Sequence, residues 1–273
     1  MAQLAPWPGI ASSTTTLASS ILRHRIENWR LYHKTRIQLP NDEKESDRLD
    51  LQPNLFLLTT HYELGLAPPA RKGSNVKRVL DCIEFGEDHP DAKVVGVDLS
   101  PVQTEFVPPN VKFEVDDTEE PWTYHMSFDY IHTRAMTFFK QSLDSLEPGG
   151  CLELQEEEAC NILGRPFVNC DRYLPSLLKE AGFIDISVNK FKWPLNPWPK
   201  DPQFRELGTW QYENLVEGIE AWIMAPFTRA LGWSKDEVNV SLIDVRKNMK
   251  DRGIHAYCPI YTIHARKPLE DKE

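Results

Sequence analysis

From residue 76 the chain breaks into short apolar runs separated by turns and amphipathic stretches. Residues 76–81, 94–98, 111–115, 128–132 and 151–154 each read as a strand, and several are apolar at successive positions rather than at alternate ones. Such strands need cover on both faces, which a parallel sheet between helical layers provides. Helical patterns between them place the region in the α/β class, built from strand–helix–strand units.

The pattern then lengthens. Residues 171–181 form a helix with Leu174, Leu177 and Leu178 on one face, and Gly182 follows as a left-handed stop. Residues 183–193 and 255–266 read as long strands, with helices over 203–225 and 234–250 between them. Ser234 and Glu237 have the spacing of a capping box. A last strand delivered after so long an excursion is expected to enter the sheet reversed. The expected organisation is a disordered Ser/Thr-rich tail over 1–20, a helical extension over 21–75 and a core domain over 76–268. A helical cap inserted at 195–253 completes it. Within the extension, the basic and aromatic stretch 23–36 is expected as a charged amphipathic helix. Pro40-Asn41 opens a second helix that Pro53 ends or kinks, because proline lacks the amide donor and crowds the preceding turn.

Composition narrows the classes of function. A net charge of −10 over 273 residues argues against nucleic acid as a partner, since phosphate binding wants clustered Lys and Arg. No apolar run approaches the roughly 20 residues that span a bilayer. The N-terminus has neither the basic start of a secretory signal nor the arginines of a mitochondrial presequence. A soluble cytoplasmic or nuclear protein is therefore expected, without a membrane partner. The five cysteines are scattered with no CxxC, so neither a disulfide framework nor a metal site is expected.

Several strings resemble the fungal LaeA-type methyltransferases. They include Leu39-Pro40-Asn41-Asp42-Glu43 with Asp47-Arg48-Leu49-Asp50, and Gly96-Val97-Asp98-Leu99-Ser100-Pro101. Phe128-Asp129-Tyr130-Ile131-His132-Thr133-Arg134, Leu146-Glu147-Pro148-Gly149-Gly150 and Phe191-Lys192-Trp193-Pro194 add to these. The resemblance covers roughly residues 39–268. It implies a class I (Rossmann-like) S-adenosylmethionine-dependent methyltransferase fold: a mostly parallel sheet, a reversed last strand and a helical insertion before it. One departure matters. The family follows its first strand with a glycine-rich loop, and here Asp81 runs into Cys82-Ile83-Glu84-Phe85-Gly86, with only residues 82–92 left for the crossover. Further shortenings fall between Arg134 and Leu146 and after Gln155.

The chemistry follows from the carboxylates at the strand ends. Asp98 closes the second strand, where a carboxylate can accept both ribose hydroxyls of a nucleoside or simply be solvated at the strand's edge. By resemblance Leu99 lies beside it, Asp81 lies near the methionine portion, and Asp116 and Asp117 lie near the adenine amine. Asp117-Thr118-Glu119 reads equally well as a turn in which the aspartate caps its own backbone. His132 is the candidate general base, with a pKa near neutrality, although a structural histidine is the commoner use of such a residue. Three functions compete. The first is S-adenosyl-L-methionine-dependent methylation of a small molecule in secondary metabolism. The second is a catalytically inactive relative acting as a regulator or scaffold through a protein partner. The third, a nicotinamide-dependent oxidoreductase, fits poorly because its own glycine fingerprint is absent too.

Overall fold

A computed structural model of the protein describes residues 24–33, 39–80, 83–98, 107–134, 138–157 and 170–270. The expected tail over 1–20 lies outside them.

The first element differs from expectation. Residues 24–33 form an antiparallel hairpin of β1 (His24–Glu27) and β2 (Arg30–His33), not a helix. Asn28 and Trp29 between the strands both take positive φ, 53° and 67°. This is the backbone of the two-residue turn whose twist matches that of the flanking strands. The hairpin is pinned from outside: Arg30 donates twice to Asp42, at 2.5 and 2.6 Å, and Glu27 receives the Arg229 guanidinium. Tertiary partners thus override a helix-like charge pattern.

Helices α1 (Glu43–Leu49) and α2 (Leu51–Thr59) follow, the first capped by the Asp42 side chain on the Glu45 amide. The break at Asp50 has the cause foreseen in the sequence. Pro53 has no amide to donate to the Leu49 carbonyl, so the chain restarts one residue later with the proline in its first turn.

The main sheet joins seven strands: β3 (Arg78–Leu80), β4 (Lys93–Asp98), β5 (Val111–Val115), β6 (Phe128–Arg134), β7 (Leu146–Glu157), β8 (Ile184–Pro194) and β9 (Tyr257–Arg266). Their spatial order is β5-β4-β3-β6-β7-β9-β8. β3 to β7 pair in parallel, and β9 runs antiparallel to both its neighbours. The expected late reversed strand is therefore present. So is the insertion before it, made of α6 (Pro202–Ala230) and α7 (Lys235–Lys250). The short helices α3 (Ile83–Asp88) and α4 (Phe139–Ser145), with α5 (Cys170–Ala181), complete the element order.

Local chemistry explains most boundaries. α5 ends at Gly182, φ 108°; its amide bonds Lys179 and the Phe183 amide bonds Leu178, the paired bonds of a Schellman stop. Ser234 and Glu237 form the capping box of α7. Pro148-Gly149-Gly150 is less a turn than a bulge inside β7: Gly149 has φ 82° and the register to β6 slips there. α6 runs on through Pro226 to Ala230, past the expected end at 225, because Ala225 and Pro226 are buried in the packed cap.

The sheet buries apolar side chains on both faces. Leu80, Val95, Ile131, Leu152 and Leu154 meet Leu174 and Leu178 of α5 on one face. Val79, Val94, Tyr130 and Phe85 of α3 pack with Ala67 and Ala70 on the other.

Candidate functional site

The sheet order reverses between β3 and β6: the chain winds outward through β4 and β5, then returns to the other side of β3. In open α/β sheets the crevice beyond the carboxyl ends of the strands at such a switch point is where ligands bind.

Asp98 ends β4 on this rim with an exposed side chain. The neighbouring strand end is tied to it by the Asp116 amide, which donates to the Asp98 carbonyl at 3.1 Å. Asp98 and Asp116 are thus brought together at adjacent strand ends. Asp117 has local work: its carboxylate accepts the Glu119 amide at 2.9 Å, the turn use foreseen beside the ligand use. Tyr124 lies nearby, its phenol pushed upward by burial and then by the charges of Glu114 and Asp116. Asp81 and Leu99 lie outside the described residues.

The crossover between β3 and β4 contains a single glycine. A Cβ on Gly86 would stand 2.2 Å from a Val111 methyl, so Gly86 serves close packing of α3 on β5. The loop end is held by Asn110, whose side-chain amide reaches the carbonyls of Gly86, His89 and Ala92 at 3.0–3.1 Å. The shortened crossover therefore still delivers β4 parallel to β3 and Asp98 to the rim. The carboxylates at the end of β4 and just after β5 have the chemistry to take a nucleoside's hydroxyls and exocyclic amine. To that extent the residues present fit the nucleoside half of S-adenosylmethionine.

One face of β6 and β7 carries an unusual polar stripe of Tyr130, His132 and Arg134 beside Glu153, Gln155 and Glu157. Glu153 is fully buried and accepts three donors. The amides of Leu66 and Ala67 donate at 2.7 and 2.8 Å, and the Tyr130 hydroxyl at 2.8 Å. Gly65 passes so close that a Cβ there would lie 2.6 Å from Glu153. Gln155 accepts from Arg134 at 2.9 Å and donates to the Leu64 carbonyl at 3.1 Å. Residues 64–67 are thus strapped over the sheet. His132 lies level with Glu153, buried, its ring parallel to that of Tyr130 at 6.1 Å.

Glu157 ends β7 above this strap and was not picked out in the sequence as more than part of an acidic run. Burial raises its pKa, opposed by hydrogen bonding to Cys258 and by the charge of Arg48. The Cys258 thiol donates to it at 3.2 Å. Arg48 holds Glu45 through two nitrogens, at 3.2 and 2.6 Å, and reaches Asn214 at 2.7 Å. Asn214 in turn donates to Gln211 at 3.0 Å. Gln211 turns its other amide end toward Glu157. Buried polar groups therefore run from α1 through α6 to the ends of β7 and β9.

Comparisons with known proteins now decide the family. The chain is 34% identical over 94% of its length to the methyltransferase pytC of Aspergillus terreus, covering 92% of that protein. It is 32% identical over 82% of its length to the probable methyltransferase tdiE of Emericella nidulans, covering 82% of it. To the protein-methionine methyltransferase laeA of the same fungus it is 30% identical over 97% of its length, covering 83% of it. The chain belongs to the fungal LaeA-type methyltransferase family. No family model matches it. Among solved structures, a Haemonchus contortus phosphoethanolamine N-methyltransferase shares 18% identity at a TM-score of 0.46, covering 88% of this chain and 62% of that one. The family fold rests instead on the strand order and the reversed β9. The pytC alignment spans 305 positions, more than the 273 residues of this LaeA-type chain. The relative therefore carries stretches with no counterpart here.

Proposed function

We propose that the protein is an S-adenosylmethionine-dependent methyltransferase that acts on a small molecule of secondary metabolism, in the cytoplasm or nucleus. The observation carrying this reading is the exposed Asp98 carboxylate at the end of β4, beside the switch point, on a residue whose backbone carbonyl accepts the Asp116 amide. Asp98 holds the ribose hydroxyls and Asp116 faces the base with the carboxylate oxygen that its bond from the Asp117 amide leaves over, while Asp117 accepts the Glu119 amide in its own turn. S-adenosylmethionine, when bound, supplies a methyl group on a sulfonium that needs alignment with an acceptor more than acid or metal assistance. The chain's own contribution is a partly closed stripe: the 64–67 strap covers Glu153 and Gln155, while Glu157 beside Gln211 of α6 stays partly exposed at its end.

A second reading has its own support. A crossover confined to residues 82–92, whose one glycine is used for packing, suits a non-catalytic relative that works through a protein partner. One titration separates them. S-adenosylmethionine at 100 times its Kd stabilises a fold that binds it by about 2.7 kcal/mol. We expect a matching thermal shift in the wild type and none in Asp98→Ala. No shift in the wild type at millimolar ligand defeats the catalytic reading.

A further inference from the structure

We infer that Glu157, partly exposed beside Cys258 and Gln211, is the proton acceptor for the methyl-accepting substrate, and that the acceptor is a hydroxyl or amine compound. This rests on the methyltransferase reading above and adds the residue that handles the proton.

The placement comes from register. Arg134, the last residue of β6, pairs with Gln155, and Glu157 lies two residues further along β7 on the same face. It therefore stands above the rim, one strand from the switch point. His132, the first candidate for this role, pairs with Glu153, four residues lower and roughly 13 Å down the strand. It is buried there beneath the strap. Glu157 is also the first side chain of the stripe to become partly exposed, after the buried Glu153 and Gln155.

Its surroundings suit a base. Facing it are the Cys258 thiol on β9, the Gln211 amide on α6, and the Arg48–Glu45 pair on α1. Gln211 is fully buried, and its Nε2 points at the carboxylate without completing a well-formed hydrogen bond. That leaves a buried donor beside the base with capacity for a further acceptor atom, such as a substrate oxygen. Burial pushes the carboxyl upward while Arg48 keeps the charged form attainable, which moves a base toward operating pH.

The balance is simple. The acceptor's O–H or N–H bond breaks and its proton passes to a Glu157 oxygen. The freed electron pair forms the new bond to the methyl carbon. The carbon–sulfur pair leaves with sulfur as a neutral thioether, and Glu157 returns the proton to water.

Two measurements test this on the full chain. The first needs no cofactor: native protein is alkylated with iodoacetamide across pH, and Cys258 is followed by peptide mass spectrometry. The base must be reachable from solvent, so its partly exposed neighbour Cys258 should react in the folded wild type. Glu157→Gln should speed the reaction several-fold near neutral pH, because an uncharged amide replaces the carboxylate that now accepts the thiol's hydrogen bond. The second uses labelled S-adenosylmethionine with two probes, 4-ethylphenol and thiophenol. Thiophenol is already ionised at neutral pH and needs no base. Glu157→Gln should therefore lose about a hundredfold on the phenol while keeping the thiol rate within a few-fold, and should flatten the phenol's pH profile. A Cys258 that resists alkylation in the native fold overturns the inference, as does equal loss on both probes or none on the phenol. A wild type that binds the cofactor but methylates neither probe overturns it as well. Failure to bind the cofactor defeats the methyltransferase reading, whatever the alkylation shows.

Discussion

The two halves of the sheet are built to different standards. On the β6–β7–β9 side, long strands carry a buried polar stripe whose members are bonded to segments far away in the chain. On the β3–β4–β5 side the first strand spans only Arg78–Leu80, and a helix of six residues makes the crossover. The rim there is an exposed carboxylate beside a self-capping turn. The first half is over-determined, because each buried polar group needs its partners. The second is built on a three-residue strand and a six-residue helix, and its Asp98 side chain is exposed. Stability should therefore concentrate on one side and cofactor recognition on the other.

The sharpest way to break this contrast is at Glu153. Glu153→Ala takes the acceptor from the buried Ala67 amide, the part-buried Leu66 amide and the buried Tyr130 hydroxyl, and a buried donor left unpaired costs roughly 1–3 kcal/mol. We expect a loss of about 3–5 kcal/mol by urea denaturation. A loss under 1 kcal/mol would show that the strap over 64–67 is not what the stripe holds. Next comes Gly86→Ala, whose new methyl meets Val111. Overpacking there should cost about 1–3 kcal/mol and show as a lowered melting temperature. A neutral result would mean that α3 is free to move away from β5.

Smaller effects sharpen the picture. Glu157→Gln should melt higher than the wild type, by a margin that widens as pH rises. A carboxyl raised in the folded state stabilises the fold fully below its unfolded pKa, and that stabilisation fades as pH climbs through the folded value. Glutamine does not titrate, so a constant gap between pH 5 and 8 would contradict the raised pKa. Asp98→Ala should leave stability within about 0.5 kcal/mol, as surface changes do, while abolishing the cofactor-induced shift.

Much of this was legible in the residues. The strands, the Schellman stop at Gly182, the capping box at Ser234 and the reversed last strand all follow from local pattern and turn chemistry. So does Asp98 at a strand end. What stayed hidden depends on distant partners. The hairpin at 24–33 looks helical by charge, and partners outside it, Asp42, Arg229 and Lys235 among them, hold it in another form. α6 passes its proline because the surrounding cap buries it. Glu157 looks like one member of an acidic run, since nothing nearby in sequence reveals Arg48, Gln211 or Cys258. Asp81 and Leu99 fall outside the described residues.

The hairpin has a consequence for how the chain is made. Glu27 meets Arg229 across 202 residues, and the Asn28 carbonyl meets Lys235 across 207. On the ribosome these first segments emerge long before the surface that receives them exists. They must wait, exposed, until nearly the whole polypeptide has been synthesised. Any truncation before residue 229 would leave the hairpin its near partner Asp42 but neither Arg229 nor Lys235, and that long-range docking step should be among the last to complete.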